Sequence, residues 1–308
     1  MSLLKITTGR IQRAQKCVNF GPEGIGKTTF ASKFPQPLFI DTEGGTSHLD
    51  VARVMCPQKW DDLLSLIGEI AESDVCKTLV IDTIDWAEQI ASAHICEKYR
   101  VKSIEQMGYG KGYTYLAEEM ERFLGALNKV IDSGKHVVLN AHAKMRKQEL
   151  PDEQGAFDRW ELKLTRNVAP LIKEWADLLL FINYKTYVTV SDDKSSAKAK
   201  GGKRVMYASH HPCWDAKNRH GLPDEMPFDY DQIAFIFDEQ PKTQKSTETD
   251  LTVELNELMV KAGVNENDVR SILSRSKSYD PEKPLSDYAS KLIAKWPKVV
   301  EQIQSNIF

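Results

Sequence analysis

Short, mostly apolar runs ending in acidic or amide residues recur along the first two-thirds of the chain. Leu38–Asp41, Leu79–Asp82 and Val137–Asn140 have this form, and Cys17–Phe20 and Leu178–Ile182 repeat the mostly apolar run. Runs of this length bounded by turn residues predict buried strands, and their succession predicts a mainly parallel sheet. Between them the period changes. Leu63, Leu66, Ile67 and Ile70 follow Trp60 at helical spacing, and Leu116, Met120, Phe123, Leu124, Leu127 and Ile131 form a longer apolar stripe. Both predict helices lying on the sheet. Thr186–Val190 and Arg204–Tyr207 predict a β-hairpin with a net basic tip over Ser191–Gly202. A polar stretch with Pro, Ser and Thr then precedes three helical patterns, Leu251–Ala262, Asn265–Ser274 with Asn265 as N-cap, and Ser286–Ile303. The expected organisation is an α/β core over 1–238, a linker over 239–250 and a small helical domain over 251–308.

The composition, 41% hydrophobic and 28% charged, belongs to a globular chain rather than a disordered one. No apolar run approaches the roughly 20 residues that span a bilayer. The opening MSLLKITTGRIQRAQK has no secretory pattern. The five cysteines are scattered without a C-x-x-C pair, which suits a reducing compartment. The expectation is a cytoplasmic protein with no membrane partner. A net charge of -3 excludes a uniformly basic surface, so nucleic-acid contact would need local basic segments.

One stretch carries most of the chemistry. Gly21, Pro22, Glu23, Gly24, Ile25, Gly26, Lys27, Thr28 and Thr29 fit G-x-x-x-x-G-K-[ST], with an expected strand before and an expected helix, Thr28–Phe34, after. Glycines let main-chain amides turn inward around a phosphate chain, and the helix start adds its positive dipole end. Lys27 would reach the β- and γ-phosphates and Thr28 would ligate Mg²⁺. Ligands of open α/β sheets collect at the carboxyl ends of strands, so Asp41 and Glu43 are expected to face the nucleotide, Glu43 as general base. Asp82 closes the next strand and is expected to support Mg²⁺. Asp85 is open between a supporting role and a helix cap. Asn140 and His142, at the tip of a later strand, are candidates for sensing the γ-phosphate, with capping as the alternative for His142.

Further segments point outward. Ser103–Tyr115 combines three glycines with Tyr109, Lys111, Tyr113 and Tyr115, a composition suited to stacking single-stranded bases or to an ordinary packed loop. Lys144, Arg146 and Lys147 open a polar stretch through Arg166 that would give salt-dependent phosphate contacts or form a solvated charge run. His210, His211, Cys213 and His220 match no standard zinc spacing.

Thr83 follows Asp82 where AAA+ ATPases place the catalytic glutamate, whereas Asp41-Thr42-Glu43 resembles the D-x-E segment of RecA-type ATPases. The ordered set GPEGIGKTTFASKFPQPLFIDTEGG, TLVIDTIDW, YGKGYTYLAEEMERFL, VVLNAHAK, EWADLLLF and KNRHGLP resembles the phage RecA-like ATPases of the AAA_24 group, related to the Sak-type single-strand annealing proteins. That resemblance covers about residues 14 to 237. It implies a RecA-like core binding ATP and Mg²⁺, and ATP-dependent binding of single-stranded DNA during annealing or strand exchange in the cytoplasm of a bacterial host. The two outward segments correspond to the places of its DNA-binding loops. It also implies homo-oligomers in which Lys217 and Arg219 reach a neighbour's ATP and stabilise charge on the γ-phosphate. A single-strand-binding protein is a further expected partner. Two other classes fit the phosphate motif: a nucleotide-dependent switch or scaffold of a phage replication complex, and a small-molecule kinase.

Overall fold

The computed structural model describes residues 9, 13–149, 155–190, 197–237, 255–256, 258–274, 279–281, 283 and 285–304. The chain divides into two compact units, Met1–Asp238 and Glu239–Phe308. The stretch read as a linker, 239–250, and the first part of the hairpin tip, 191–196, lie outside the described residues.

The first unit holds a nine-stranded sheet. In chain order its strands are β1 (Lys16–Gly21), β2 (Pro37–Asp41), β3 (Ala52–Met55), β4 (Thr78–Asp82), β5 (His136–Glu149), β6 (Ala156–Leu162), β7 (Leu178–Val190), β8 (Ala197–Tyr207) and β9 (Glu225–Pro227). Their spatial order is β3-β2-β4-β5-β1-β7-β8-β9, with β6 paired to β5. From β3 to β7 every neighbour on this path is parallel, and β8, β9 and β6 join antiparallel. This is a mainly parallel α/β core, with β5 standing between the phosphate-loop strand and the strand that ends in Asp82.

Side chains alternate across each strand, and the central strands are buried on both faces. Val18, Phe20, Ile40, Leu79, Ile81, Val137 and Leu139 enter one core, with residues of α2 (Trp60–Glu72), α3 (Ile84–Tyr99), α4 (Lys111–Asp132) and α5 (Val168–Trp175). Their neighbours Cys17, Phe39, Val80 and Val138 enter the other, against Phe30 and Ala31 of α1 (Lys27–Ala31) and the segment 222–237. Each fully buried large apolar side chain is worth about 1.5–3 kcal/mol. Among the described residues no helix is long and apolar enough to cross a membrane.

Three elements differ from the sequence expectation. α1 stops at Ala31, before Phe34. Between the Asp82 strand and the glycine–tyrosine loop stands the 16-residue α3, which the sequence reading did not delineate. That helix buries Ile84, Ala87, Ala91 and Ile95, and its small alanines leave only a faint apolar stripe. The polar stretch from Lys144 onward is not a loop. β5 continues through it to Glu149 and folds against β6 with Lys144 opposite Glu161 and Lys147 opposite Asp158, and such cross-strand opposite charges favour the pairing.

In the second unit, Asn265 caps the helix Glu266–Leu273 through a reciprocal bond with Asp268. The pattern over Ser286–Ile303 resolves into a short turn and two helices, Ala289–Ala294 and Trp296–Gln304. Leu255, Met259, Val269, Leu292, Trp296 and Ile303 form its core.

Candidate active site

β1 delivers the phosphate loop to the carboxyl edge of the sheet, and strand register decides what meets it. Gly21 lies level with His142 on β5, Asn140 with both Asn19 and Asp82, and Asp82 with Asp41 on β2. Gly24 and Gly26 take left-handed φ values of 70° and 105°, the turns that let the loop close. A Cβ on Gly21 would stand 2.3 Å from the Ile182 carbonyl oxygen, so the loop can begin beside β7 only with glycine. Ile25 is buried and anchors the loop from below. Lys27 is 5% exposed, and its Nζ donates to the carbonyls of Gly21 (3.2 Å) and Pro22 (3.0 Å). Burial lowers its pKa, with Asp82, Asp85, Glu43 and Glu23 pulling the other way. Thr28 and Thr29 sit in the first turn of α1, and Glu23 points outward to Lys163 (3.1 Å).

The acidic residues divide by task. Asp41, expected to face the nucleotide, is instead spent on its own loop. Its Oδ1 accepts the amides of Gly44 (2.7 Å) and Gly45 (3.1 Å), and its Oδ2 accepts the amide of Thr46 (2.9 Å). Burial opposes the charged form of Asp41, but the Thr46 hydroxyl, which donates to Oδ2, and these amides outweigh it and hold the carboxyl below its ordinary range. The loop so pinned carries Glu43, whose Oε2 stands 3.8 Å from His142 Nε2. Burial pushes the Glu43 pKa up, with repulsion from Asp82 and Asp85 adding to it and His142 opposing. A raised carboxyl pKa makes a better proton acceptor near neutrality.

Asp82 is 3% exposed, and burial raises its pKa against the influence of the Thr28 and Asn140 side chains. Its Oδ2 is buried and has no hydrogen-bond partner among the described residues. An orphaned carboxylate oxygen beside a threonine hydroxyl fits a hard divalent cation, and Mg²⁺ ordinarily takes one or two protein oxygens together with substrate phosphates. Asn140 is fully buried and accepts from Asn19 Nδ2 (3.4 Å). His142 does not cap a turn. Its Nδ1 lies 2.8 Å from Asp85 Oδ2, and its main-chain N–H donates to Asp85 Oδ1 (3.0 Å).

Within the chain, Lys217 and Arg219 stand away from its own phosphate loop, so their expected reach is toward a neighbour's ATP alone. Both lie beside the start of β7, at the opposite end of the sheet. Lys217 Nζ donates to the carbonyls of Lys173 (3.3 Å) and Glu174 (2.9 Å), closing the end of α5, and Arg219 pairs with Asp177 (2.9 Å). A further cation at the loop is Arg204 of β8, which donates to the Ile25 carbonyl (3.0 Å) and lies over Phe228. Sequence reasoning missed it, because a basic residue in a basic hairpin has no local signature. Among the described residues no group of three or more His, Cys, Asp and Glu side chains is arranged to hold a metal ion.

Of the outward segments, Tyr109 is fully exposed at φ +47° between Gly108 and Gly110, Lys111 opens α4, and Tyr113 donates to Glu105 (3.1 Å). Lys144, Arg146 and Lys147 line a groove of about 440 Å³ together with Arg166 and Lys173. Glu161 and Asp215 in that groove neutralise Arg146 (3.5 Å) and Lys173 (3.0 Å). Lys147 and Arg166 make no ion pair among the described residues.

The profile of the AAA_24 family, an AAA domain, matches residues 13–220. The SPbeta prophage-derived uncharacterized protein YorG of Bacillus subtilis strain 168 is 25% identical over 171 residues, 53% of this chain and 49% of YorG. The chain therefore spans about half the length of that curated relative. Among solved structures, the KaiC-like protein PH0186 of Pyrococcus horikoshii OT3 superposes with a TM-score of 0.40 at 15% identity, over 70% of this chain and 85% of that one.

Proposed function

The chain belongs to the AAA_24 family of AAA domains, and from that membership we propose that it is a magnesium-dependent ATPase that binds single-stranded DNA and promotes annealing in phage recombination. The observation that carries the reading is the convergence of Lys27, Thr28, Asp82 and Glu43 on one phosphate loop, with β5 running from that site into a basic groove. The name of YorG, a prophage-derived protein, supports the phage setting.

The loop amides and Lys27 would hold the triphosphate. Thr28 and Asp82 would hold Mg²⁺, which when bound draws charge from the phosphate oxygens. Glu43 takes a proton from the attacking water. As the new oxygen–phosphorus bond forms, the bond from the γ-phosphorus to the β–γ bridging oxygen breaks, and that oxygen leaves with its electron pair on ADP. Lys27 meets this developing charge at fixed distance, where preorganised donors act most strongly.

Lys147 and Arg166 in the groove would offer charge to a phosphodiester backbone, and the exposed Tyr109, on a separate loop, would offer a ring for base stacking. The test is hydrolysis and binding with single-stranded oligonucleotides across a salt series. Turnover should rise with DNA, and affinity should fall steeply with salt. Lys147→Ala and Arg166→Ala should each reduce the salt slope by about one. An oligonucleotide that neither binds at low salt nor changes turnover sinks the DNA part. A chain that hydrolyses no ATP sinks the whole.

A further inference from the structure

Resting on the ATPase reading, we propose that Asp85 is a positioning residue that fixes the His142 ring with Nε2 free to take the proton Glu43 has drawn from water. The relay balances simply: water gives its proton to Glu43, the protonated carboxyl passes it to Nε2, and the resulting imidazolium is held against the Asp85 carboxylate.

The geometry supports this arrangement over a purely structural aspartate. Asp85 is 4% exposed, in the first turn of α3, and both its oxygens serve one residue, Nδ1 of His142 at 2.8 Å and the His142 amide at 3.0 Å. It is not the cap of α3: the N-cap position is Thr83, and no side chain bonds there. A carboxylate can only accept, so Nδ1 carries a proton, and a ring holding that single proton leaves Nε2 bare. Nε2 faces Glu43 at 3.8 Å, a gap that Glu43, about one-third exposed, closes by a small side-chain rotation, as catalytic contacts commonly tighten once substrate is present.

The other charges around the ring are committed elsewhere. Lys27 Nζ lies on the carbonyls of Gly21 and Pro22. Lys163 gives its Nζ to Glu23 and its amide to the His142 carbonyl (2.8 Å). Asp82 stands beside Thr28 and Asn140. Burial works against the charge on Asp85, but the bonds from His142 outweigh it and hold the carboxyl below its ordinary range.

The experiment has two arms on the full chain. In the first, ring ¹⁵N shifts of His142 are recorded at about pH 8 without nucleotide, in wild type and Asp85→Asn. The wild-type ring should be protonated on Nδ1 alone, and the variant should move the proton to Nε2, since an amide can donate to Nδ1 instead. A wild-type ring protonated on Nε2 overturns the proposal. In the second, Asp85→Asn should lower kcat by about 10²-fold or more with the KM for ATP held within about two-fold. His142→Gln should do the same, and the double variant should lose no more than either single one, as groups acting in one unit do. Wild-type kcat in Asp85→Asn, or losses that multiply in the double variant, also overturn it. Absence of hydrolysis in wild type would instead strike the ATPase reading, and the ring spectrum separates the two failures because it needs no turnover.

Discussion

Replacing Asp82 by asparagine should make the nucleotide-free protein more stable while disabling it. Asp82 is 3% exposed, and its Oδ2 has no hydrogen-bond partner among the described residues. A buried acceptor left unmade costs about 1–3 kcal/mol, with charged groups at the upper end. Burial lifts the folded-state pKa above the ordinary value of 3.8. The folded chain therefore binds this proton more tightly than the unfolded chain does. The associated stability is fully present below the unfolded pKa and is lost as pH rises through the folded one, so at neutral pH the wild type carries the penalty. The substituted amide would carry no charge to desolvate. Lys27 would keep Glu43, Asp85 and Glu23 nearby and its two carbonyl acceptors. For a unit of this size each kcal/mol moves the melting midpoint by about 2–4 °C. Thermal unfolding with chelator and without nucleotide should show Asp82→Asn melting several degrees higher at neutral pH, and the gap should narrow on acidification. Magnesium-dependent hydrolysis should fall in the same variant. A lower midpoint at neutral pH, or a gap indifferent to pH, would refute the reasoning.

Two further substitutions probe the loop itself. Lys27→Ala should cut phosphate release by about 10²–10³-fold and leave the midpoint within about 1 kcal/mol of wild type, because the two carbonyl bonds it loses are offset by no longer burying an ammonium; undiminished release would remove Lys27 from the site. Gly21→Ala would push a methyl to 2.3 Å from the Ile182 oxygen. Its cost should be about 1–3 kcal/mol or more, read as a lowered midpoint, and an unchanged midpoint would show that β1 and β7 can part there freely.

The central strands were legible because their burial on both faces leaves uninterrupted apolar runs that need no context. The phosphate loop was legible because its glycine spacing is a local necessity. What escaped the sequence depended on partners far along the chain. Asp41 looked like a ligand because it ends a strand, but the amides of residues 44–46 claim it before any nucleotide can. Asp85 was open between two roles, and only the parallel course of β4 and β5 brings it to His142, 57 residues later. Within the chain, Lys217 and Arg219 meet the end of α5 and Asp177, partners that their order in the sequence does not reveal. The antiparallel course of β6 turned an expected loop into a ladder, which a run of charged residues conceals when periodicity is sought in apolar positions alone.

β5 is one uninterrupted strand that carries His142 at the nucleotide edge and Lys147 in the groove. Five residues at about 3.3 Å each separate them by about 17 Å. Main-chain rungs to β1, β4 and then β6 prevent that stretch from shortening or folding over. The interval between the two chemistries is thus a ruler cut in backbone, indifferent to which side chains happen to line it.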